Sequence, residues 1–106
     1  MPTNSDADVP TVTLLTRLLI LYAVEKRRVR DLGQLTRYSE KLLECGVPFV
    51  LGIGKDLKSL LDAMKSESLL LTDHGVLVPT KEGSALLKKY LAVVEPRAEK
   101  VPPGAL

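Results

Sequence analysis

Cysteine and histidine are scarce in this sequence, and their scarcity excludes several kinds of site. Cys45 and His74 are the only residues of their types. A disulfide within the chain would need a second cysteine, and a structural zinc site would need more Cys and His ligands than are present. The sequence also contains no recognisable nucleophile–base pair or pair of catalytic carboxylates. We therefore expect a protein that is not an enzyme and that holds no metal ion and no cofactor.

Long hydrophobic runs are also missing. The most apolar stretch, Leu14 to Val24, contains Thr16 and Arg17 and is too short to span a bilayer. The first ten residues are polar and acidic, without the basic and apolar regions of a signal peptide. Together with the single cysteine, these features lead us to expect a cytoplasmic protein.

Aromatic residues make up only 4% of the chain, so a core must be built from leucine, valine and isoleucine. Hydrophobic residues make up 45% and charged residues 26%, which is typical of a globular domain. The length of 106 residues suits one domain, which we place at 11–95 between flexible tails at 1–10 and 96–106. The net charge of +2 is too small to indicate a nucleic-acid partner by itself.

Hydrophobic periodicity predicts two helices in the first half of the chain. The first begins at an N-cap, Thr11 or Thr13, and runs to about Lys26. Its apolar arc is wider than one packing face requires, and we expect the remainder to contact a second copy. The second helix runs from about Asp31 to Cys45, ended by the glycine that follows. Four leucines are expected to point inward: Leu32, Leu35, Leu42 and Leu43.

The third predicted helix, Lys55 to Ser66, has the clearest pattern. One stripe is apolar at helical spacing and consists of Leu57, Leu60, Leu61 and Met64. The other side is polar and consists of Lys55, Lys58, Ser59, Asp62 and Lys65. The apolar, glycine-rich segment before this helix, Val47 to Gly54, predicts a buried loop, with a short strand as the alternative.

A hairpin and a fourth helix follow. Two β-prone runs, Leu69 to Thr72 and Val76 to Val78, enclose an Asp-His-Gly turn, which is typical of a tight hairpin. Thr80 is expected to cap a fourth helix that runs to about Glu95, where Pro96 stops it. The sequence therefore predicts a mainly α fold with a small β-hairpin.

The run LLLTDHGVLVPTKEGSALLKKYL, residues 69–91, resembles the winged helix-turn-helix family of bacterial and archaeal transcriptional regulators. The resemblance lies in the hairpin, the "Thr-Lys-Glu-Gly" helix start and the leucine-rich helix after it. It implies a three-helix core with a wing and a C-terminal helix. It also implies sequence-specific binding of double-stranded DNA as a homodimer, with the third helix in the major groove. Two features depart from the usual pattern: the long connection at 47–54 and the short wing.

The polar side of the third helix suits this function, because a helix of ~10–12 Å diameter fits a major groove ~12 Å wide. Its candidate DNA-binding residues are Lys55, Lys58, Ser59 and Lys65. The alternative interpretation is the ordinary solvated side of a surface helix.

Other basic residues are candidates for contacts with phosphates. The segment that joins the first two helices, Lys26-Arg27-Arg28-Val29-Arg30, is called the joint below and is basic at every position but Val29. The alternative is that Lys26 and Arg27 only offset the negative end of the first helix's dipole. His74, at the hairpin tip, is either a minor-groove contact or an ordinary turn residue. Besides His74, these candidates are Arg27, Arg28 and Arg30 in the joint, and Arg37 and Lys41 on the second helix.

Several alternatives remain open at this point. The homodimer would form through the first helix, with the fourth as a further candidate surface. With 13 acidic residues against 15 basic ones, the domain would also suit a protein–protein interaction module that does not bind DNA. A ligand or redox sensor would use the segment 47–54 and Cys45. Finally, if Ser39 is an N-cap, residues 39–45 form a separate short helix, and this would be the recognition helix. Arg37 and Lys41 would then be its candidate DNA contacts.

Overall fold

The computed structural model describes residues 11–47, 49 and 56–102. This part of the chain folds into five helices and one antiparallel hairpin, so the predicted mainly α class with a small hairpin is confirmed. In chain order the elements are α1 (Val12–Lys26), α2 (Leu32–Glu44), α3 (Leu57–Ser66), β1 (Leu70–Asp73), β2 (Val76–Pro79), α4 (Lys81–Lys89) and α5 (Leu91–Ala98). Lys55 and most of the segment 47–54 lie outside the described residues.

Helix α1 is the centre of the fold. The side chain of Thr11 caps it by accepting a hydrogen bond from the Leu14 amide at 3.1 Å. Every residue from Leu18 to Val24 is buried, and α1 packs against α2, β2, α4 and α5. The wide apolar arc is therefore covered by the chain's own elements. The expectation that this arc contacts a second copy is wrong, because its surface is already used within the fold.

Helix α2 is continuous. The Asp31 carboxylate caps its start by accepting from the Gln34 amide at 2.8 Å, and Gly46 follows its end with a left-handed φ of 81°. Ser39 is buried within the helix, where its hydroxyl donates to the Thr36 carbonyl at 2.7 Å. Ser39 therefore does not cap a separate helix, and the alternative recognition helix at 39–45 is wrong.

The inward side of α2 is narrower than predicted. Leu35 and Leu42 are fully buried, but Leu32 is 38% and Leu43 56% exposed. Tyr38 occupies the centre of the buried stripe together with Leu35 and Leu42. At about 100° per residue, Leu32 and Leu43 fall on the flank of that stripe rather than within it.

The hairpin has a two-residue turn. His74 and Gly75 both have positive φ, 53° and 79°, and Asp73 pairs with Val76 across the turn. Positive φ at both central residues is typical of a type I′ turn, whose twist matches that of the strands. The Leu77 amide of β2 donates to the Arg30 carbonyl at 2.9 Å, so the joint between α1 and α2 lies along the outer edge of β2.

The start of α4 is held by its "Thr-Lys-Glu-Gly" sequence. The Thr80 hydroxyl accepts from the Gly83 amide at 2.9 Å and donates to the Ser68 carbonyl. Gly83 is required because a Cβ there would lie 2.1 Å from the Leu69 carbonyl oxygen and 3.0 Å from Leu21 Cδ2. The backbone of α4 at Gly83 therefore packs directly against the backbone at Leu69, where the hairpin begins.

The predicted fourth helix is in fact two helices, α4 and α5, separated at Tyr90. The expectation that Pro96 stops the helix is wrong, since Pro96 lies inside α5. Val94 and Ala98 are fully buried on either side of it, and their burial compensates for the hydrogen bond that proline cannot donate. Val101 is also fully buried, so the chain stays packed beyond residue 95, where a tail was expected.

Candidate nucleic-acid interface

Helix α3 is attached to the domain by its apolar stripe, as predicted. All its members are buried: Leu57, Leu60, Leu61 and Met64. The helix packs against α2 and directly against β1. The Asp56 carboxylate caps its start by accepting from the Ser59 amide at 2.7 Å. This hydrogen bond lowers the pKa of Asp56 below its ordinary value, so the cap carries a negative charge at neutral pH.

The end of α3 is tied to α1 by an ion pair that sequence patterns did not indicate. Arg17 Nε and Nη2 donate to the two carboxylate oxygens of Glu67 at 2.8 and 2.9 Å. The hydrogen bonds from Arg17 lower the pKa of Glu67. Because the pair is bidentate, it fixes the orientation of the last turn of α3 as well as its distance from α1.

The opposite side of α3 faces solvent. Lys58, Ser59 and Lys65 are all exposed, as the interface prediction requires. Lys58 forms an ion pair with Asp62, one turn along the helix, at 3.3 Å. Among the residues of this side that the structure describes, two carboxylates, Asp56 and Asp62, stand against two lysines, Lys58 and Lys65.

Arg27 is not available for a DNA contact, which corrects its assignment to the interface. Its side chain is only 8% exposed. Nη2 donates to Glu99 at 2.8 Å and to the Val101 carbonyl at 2.7 Å. Arg27 therefore holds the segment after α5 against the joint, which explains why this segment is packed rather than free.

Two tyrosines complete this attachment of the C-terminal segment. The Tyr22 hydroxyl donates to Glu99 at 2.8 Å, and the Tyr38 hydroxyl donates to the Ala98 carbonyl at 3.2 Å. Burial is the main cause that raises the pKa of each tyrosine to about 12, so both remain hydrogen-bond donors at neutral pH. Cys45 also contacts this segment, because its Sγ lies 3.4 Å from the Lys100 carbonyl.

The other basic residues of the joint and of α2 have exposed or half-exposed side chains. Arg28 and Arg37 line a cleft of about 240 Å³ together with Arg27, Val29 and Gln34. The lysines of α3 are not among the residues that line this cleft. The structure therefore divides the predicted basic residues into separate groups.

Three predicted residues lie outside both groups. Arg30 is exposed beside the outer edge of β2, where its carbonyl bonds to Leu77. Lys41 is half-exposed and lies 3.6 Å from Glu44. The His74 side chain is 94% exposed at the hairpin tip, with Nδ1 2.8 Å from the Asp73 carboxylate. All three remain predictions as DNA contacts.

Comparisons with protein families, curated proteins and solved structures found no match for this chain. Across the described ranges, no group of three or more His, Cys, Asp or Glu side chains is placed to hold a metal ion. Within the same residues, no helix has the length and apolar character needed to cross a membrane. The case for a function therefore depends on the geometry of α3, the hairpin and the basic residues.

Proposed function

We propose that this protein is a winged helix-turn-helix regulator that binds double-stranded DNA sequence-specifically, with α3 in the major groove. The observation that carries the proposal is the division of α3 into a buried apolar stripe and a free polar side, directly beside the hairpin. A helix can enter the groove only if it projects in this way.

The spacing of the polar residues on α3 supports this proposal. Lys58 and Lys65 are seven positions apart, which is ~10 Å along the helix axis and about the rise of three base pairs. They can therefore contact phosphates or guanine edges at separate steps of the groove, while Ser59 donates to or accepts from a base edge. Asp62, between the lysines, offers an acceptor for the amino group of cytosine.

The test is a pair of charge-reversal variants measured by fluorescence anisotropy on a random pool of short duplexes at ~100 mM salt. Lys58→Glu with Lys65→Glu removes the proposed contacts. Lys81→Glu with Lys100→Glu is the matched control, because both residues are exposed outside α3 and the net charge changes equally. We expect the first variant to lose about 100-fold in affinity and the control to lose about 3-fold or less. Equal losses in the two variants would contradict the assignment to α3.

Salt dependence gives a second, independent test. A monomer that neutralises about four phosphates should show a slope near −3.6 when log affinity is plotted against log salt concentration. The slope should become shallower by about two units in the Lys58→Glu, Lys65→Glu variant. A slope close to zero in the unmodified protein would exclude DNA binding of this kind.

The balance of charge on α3 favours a second candidate function, a protein–protein interaction module of winged-helix type. Asp56 and Asp62 offset Lys58 and Lys65, and Leu43 and Leu71 are 56% and 43% exposed. A module of this kind would show no duplex binding even at ~50 mM salt, where phosphate contacts are strongest. That result would favour this second function over the first.

A homodimer is still proposed, but through the region of α4 and not through α1. Leu86, Tyr90 and Leu91 are only half-buried against the core. A two-fold dimer formed there would need to place its two α3 helices ~34 Å apart to contact successive major grooves. Sedimentation equilibrium of the unmodified protein and of Leu91→Lys measures the fraction of dimer. The substitution should shift a dimer formed at this surface toward monomer.

A further inference from the structure

We infer that the cleft between the joint and α2 is a binding site for a small oxyanion, of phosphate or carboxylate type, separate from the polar side of α3. The cleft has a volume of about 240 Å³ and is lined by Arg27, Arg28, Val29, Gln34 and Arg37. This inference goes beyond the proposed function and does not depend on it.

The first observation is an unsatisfied buried donor. The Arg27 side chain is 8% exposed, and its Nη2 is already bonded to Glu99 and to the Val101 carbonyl. Its Nη1 is buried and has no hydrogen-bond partner among the described residues. A charged donor shielded from water without an acceptor is costly, so the Arg27 guanidinium is only partly compensated and favours an anion in the cleft that this residue lines.

The second observation is the local excess of positive charge. Arg27, Arg28 and Arg37 all line one cleft, and no acidic residue is among its lining residues. Glu99, which bonds to Arg27, is not one of the lining residues. Arginine side chains match the planar, multiple acceptors of phosphate and carboxylate.

The cleft also supplies neutral donors on a fixed backbone. The Gln34 side-chain oxygen accepts from the Arg30 amide at 2.7 Å, which leaves the Gln34 amide N–H groups as donors. Arg28 has a left-handed φ of 58°, and hydrogen bonds from the Arg27 and Val29 amides to the Ala23 carbonyl hold its neighbours. Left-handed backbone at a residue other than glycine is often found where a binding loop is held in place.

The size of the cleft favours a small free anion over a duplex. Pockets for drug-sized ligands measure ~300–1,000 Å³, so about 240 Å³ suits a phosphate or a short carboxylate-bearing molecule. A duplex presents its phosphates on a convex surface, whereas Arg27 lies buried in the wall of a concave one. The exposed Arg28 and Arg37 alone would be within reach of a duplex backbone.

The experiment uses the full chain labelled with ¹⁵N and titrated with inorganic phosphate, with sodium chloride holding the ionic strength constant. We expect saturable shifts of the backbone amide signals of Arg28, Val29, Gln34 and Arg37, and no comparable shifts on α4. Arg37→Gln and Arg28→Gln, both surface substitutions, should each weaken phosphate binding by about 10-fold or more. Lys81→Gln, an exposed charge outside the cleft, should change it by less than about 2-fold.

Shifts that chloride alone reproduces, or that persist unchanged in both arginine variants, would overturn the proposal. The Lys58→Glu, Lys65→Glu protein separates the two sites, since it should bind phosphate as tightly as the unmodified chain. If a duplex displaced phosphate from that variant, the cleft would be a contact for the DNA backbone, and the inference of a site separate from DNA binding would be wrong. Phosphate binding in a protein that binds no duplex would support the cleft and contradict only the proposed DNA function.

Discussion

The start of α4 and the outer side of α3 differ in how many contacts hold them. At the start of α4, Thr80 is bonded to Ser68 and Gly83, and Gly83 leaves no room for a side chain. On the outer side of α3, the Lys58 side chain pairs with Asp62, one turn along the same helix, and the lysine is 71% exposed. Substitutions at the first region should therefore change the stability of the fold, whereas substitutions at the second should leave it nearly unchanged.

The largest effect is expected from Gly83→Ala. The new Cβ would lie 2.1 Å from a backbone oxygen, which cannot move away without separating α4 from the hairpin. We expect a loss of about 3 kcal/mol in the free energy of unfolding, measured by urea denaturation. Gly33→Ala is the control, because its Cβ would meet nothing closer than Asp31 Oδ1 at 3.4 Å. That substitution should be neutral or stabilising by about 0.5–1 kcal/mol, and an equal loss at both sites would contradict the close approach at Gly83.

A smaller loss in the free energy of unfolding, about 2 kcal/mol, is expected from Arg27→Met. The substitution removes the buried guanidinium that holds Glu99 and the Val101 carbonyl, while keeping most of the apolar stem. Hydrogen exchange should show faster opening of residues 98–101, with the start of α4 still protected. If exchange increased uniformly across the chain, Arg27 would support the whole fold rather than this segment.

A still smaller and pH-dependent effect is expected from Glu67→Gln at the end of α3. Arg17 lowers the pKa of Glu67 in the folded protein, so the carboxylate contributes stability above its ordinary pKa and loses it as the pH falls through the lowered value. Because Glu67 is 43% exposed, the contribution at pH 7 should be about 0.5 kcal/mol. The two proteins should then converge in stability as the pH falls through the lowered pKa of Glu67. Glu40→Gln, an exposed position with no ion pair to another described residue, is the control and should show no such convergence.

The smallest effect on stability is expected on the outer side of α3. Lys65→Gln and Ser59→Ala should change the free energy of unfolding by less than about 0.5 kcal/mol, because these exposed side chains contribute little to packing. Thermal unfolding measures this, and the same samples can be used for duplex titration. A large loss of stability would show that this side of α3 is part of the fold and is not free for a ligand.

The elements with local sequence signals could be predicted, and those that depend on distant contacts could not. The stripe of α3, the cap at Thr80 and the Asp-His-Gly turn each lie within a few residues and follow from spacing alone. The burial of Arg27 could not be found in this way, because Glu99 and Val101 lie more than 70 positions along the chain. The burial of every residue from Leu18 to Val24 of α1 could not be predicted for the same reason, since α4 and α5 cover it from the far end of the sequence.

For the candidate site, the sequence identified residue types but not their grouping. Arg28 and Arg37 were assigned to the same interface as Lys58 and Lys65 because all are basic. The structure places the arginines around a cleft with Arg27 instead. The charge of a residue can be read from the sequence. A cleft and an unsatisfied buried donor form only when the joint and α2 come together in the fold.

The hydrogen bond from the Leu77 amide to the Arg30 carbonyl has a consequence for self-association. A two-stranded hairpin normally leaves both of its edges open to strands from other molecules, and such edges promote aggregation. Here the joint already occupies a position on the outer edge of β2, and β1 packs against α3 on the other side of the hairpin. A foreign strand would have to displace the joint before it could pair with β2, so this edge of the small hairpin is protected without an additional strand.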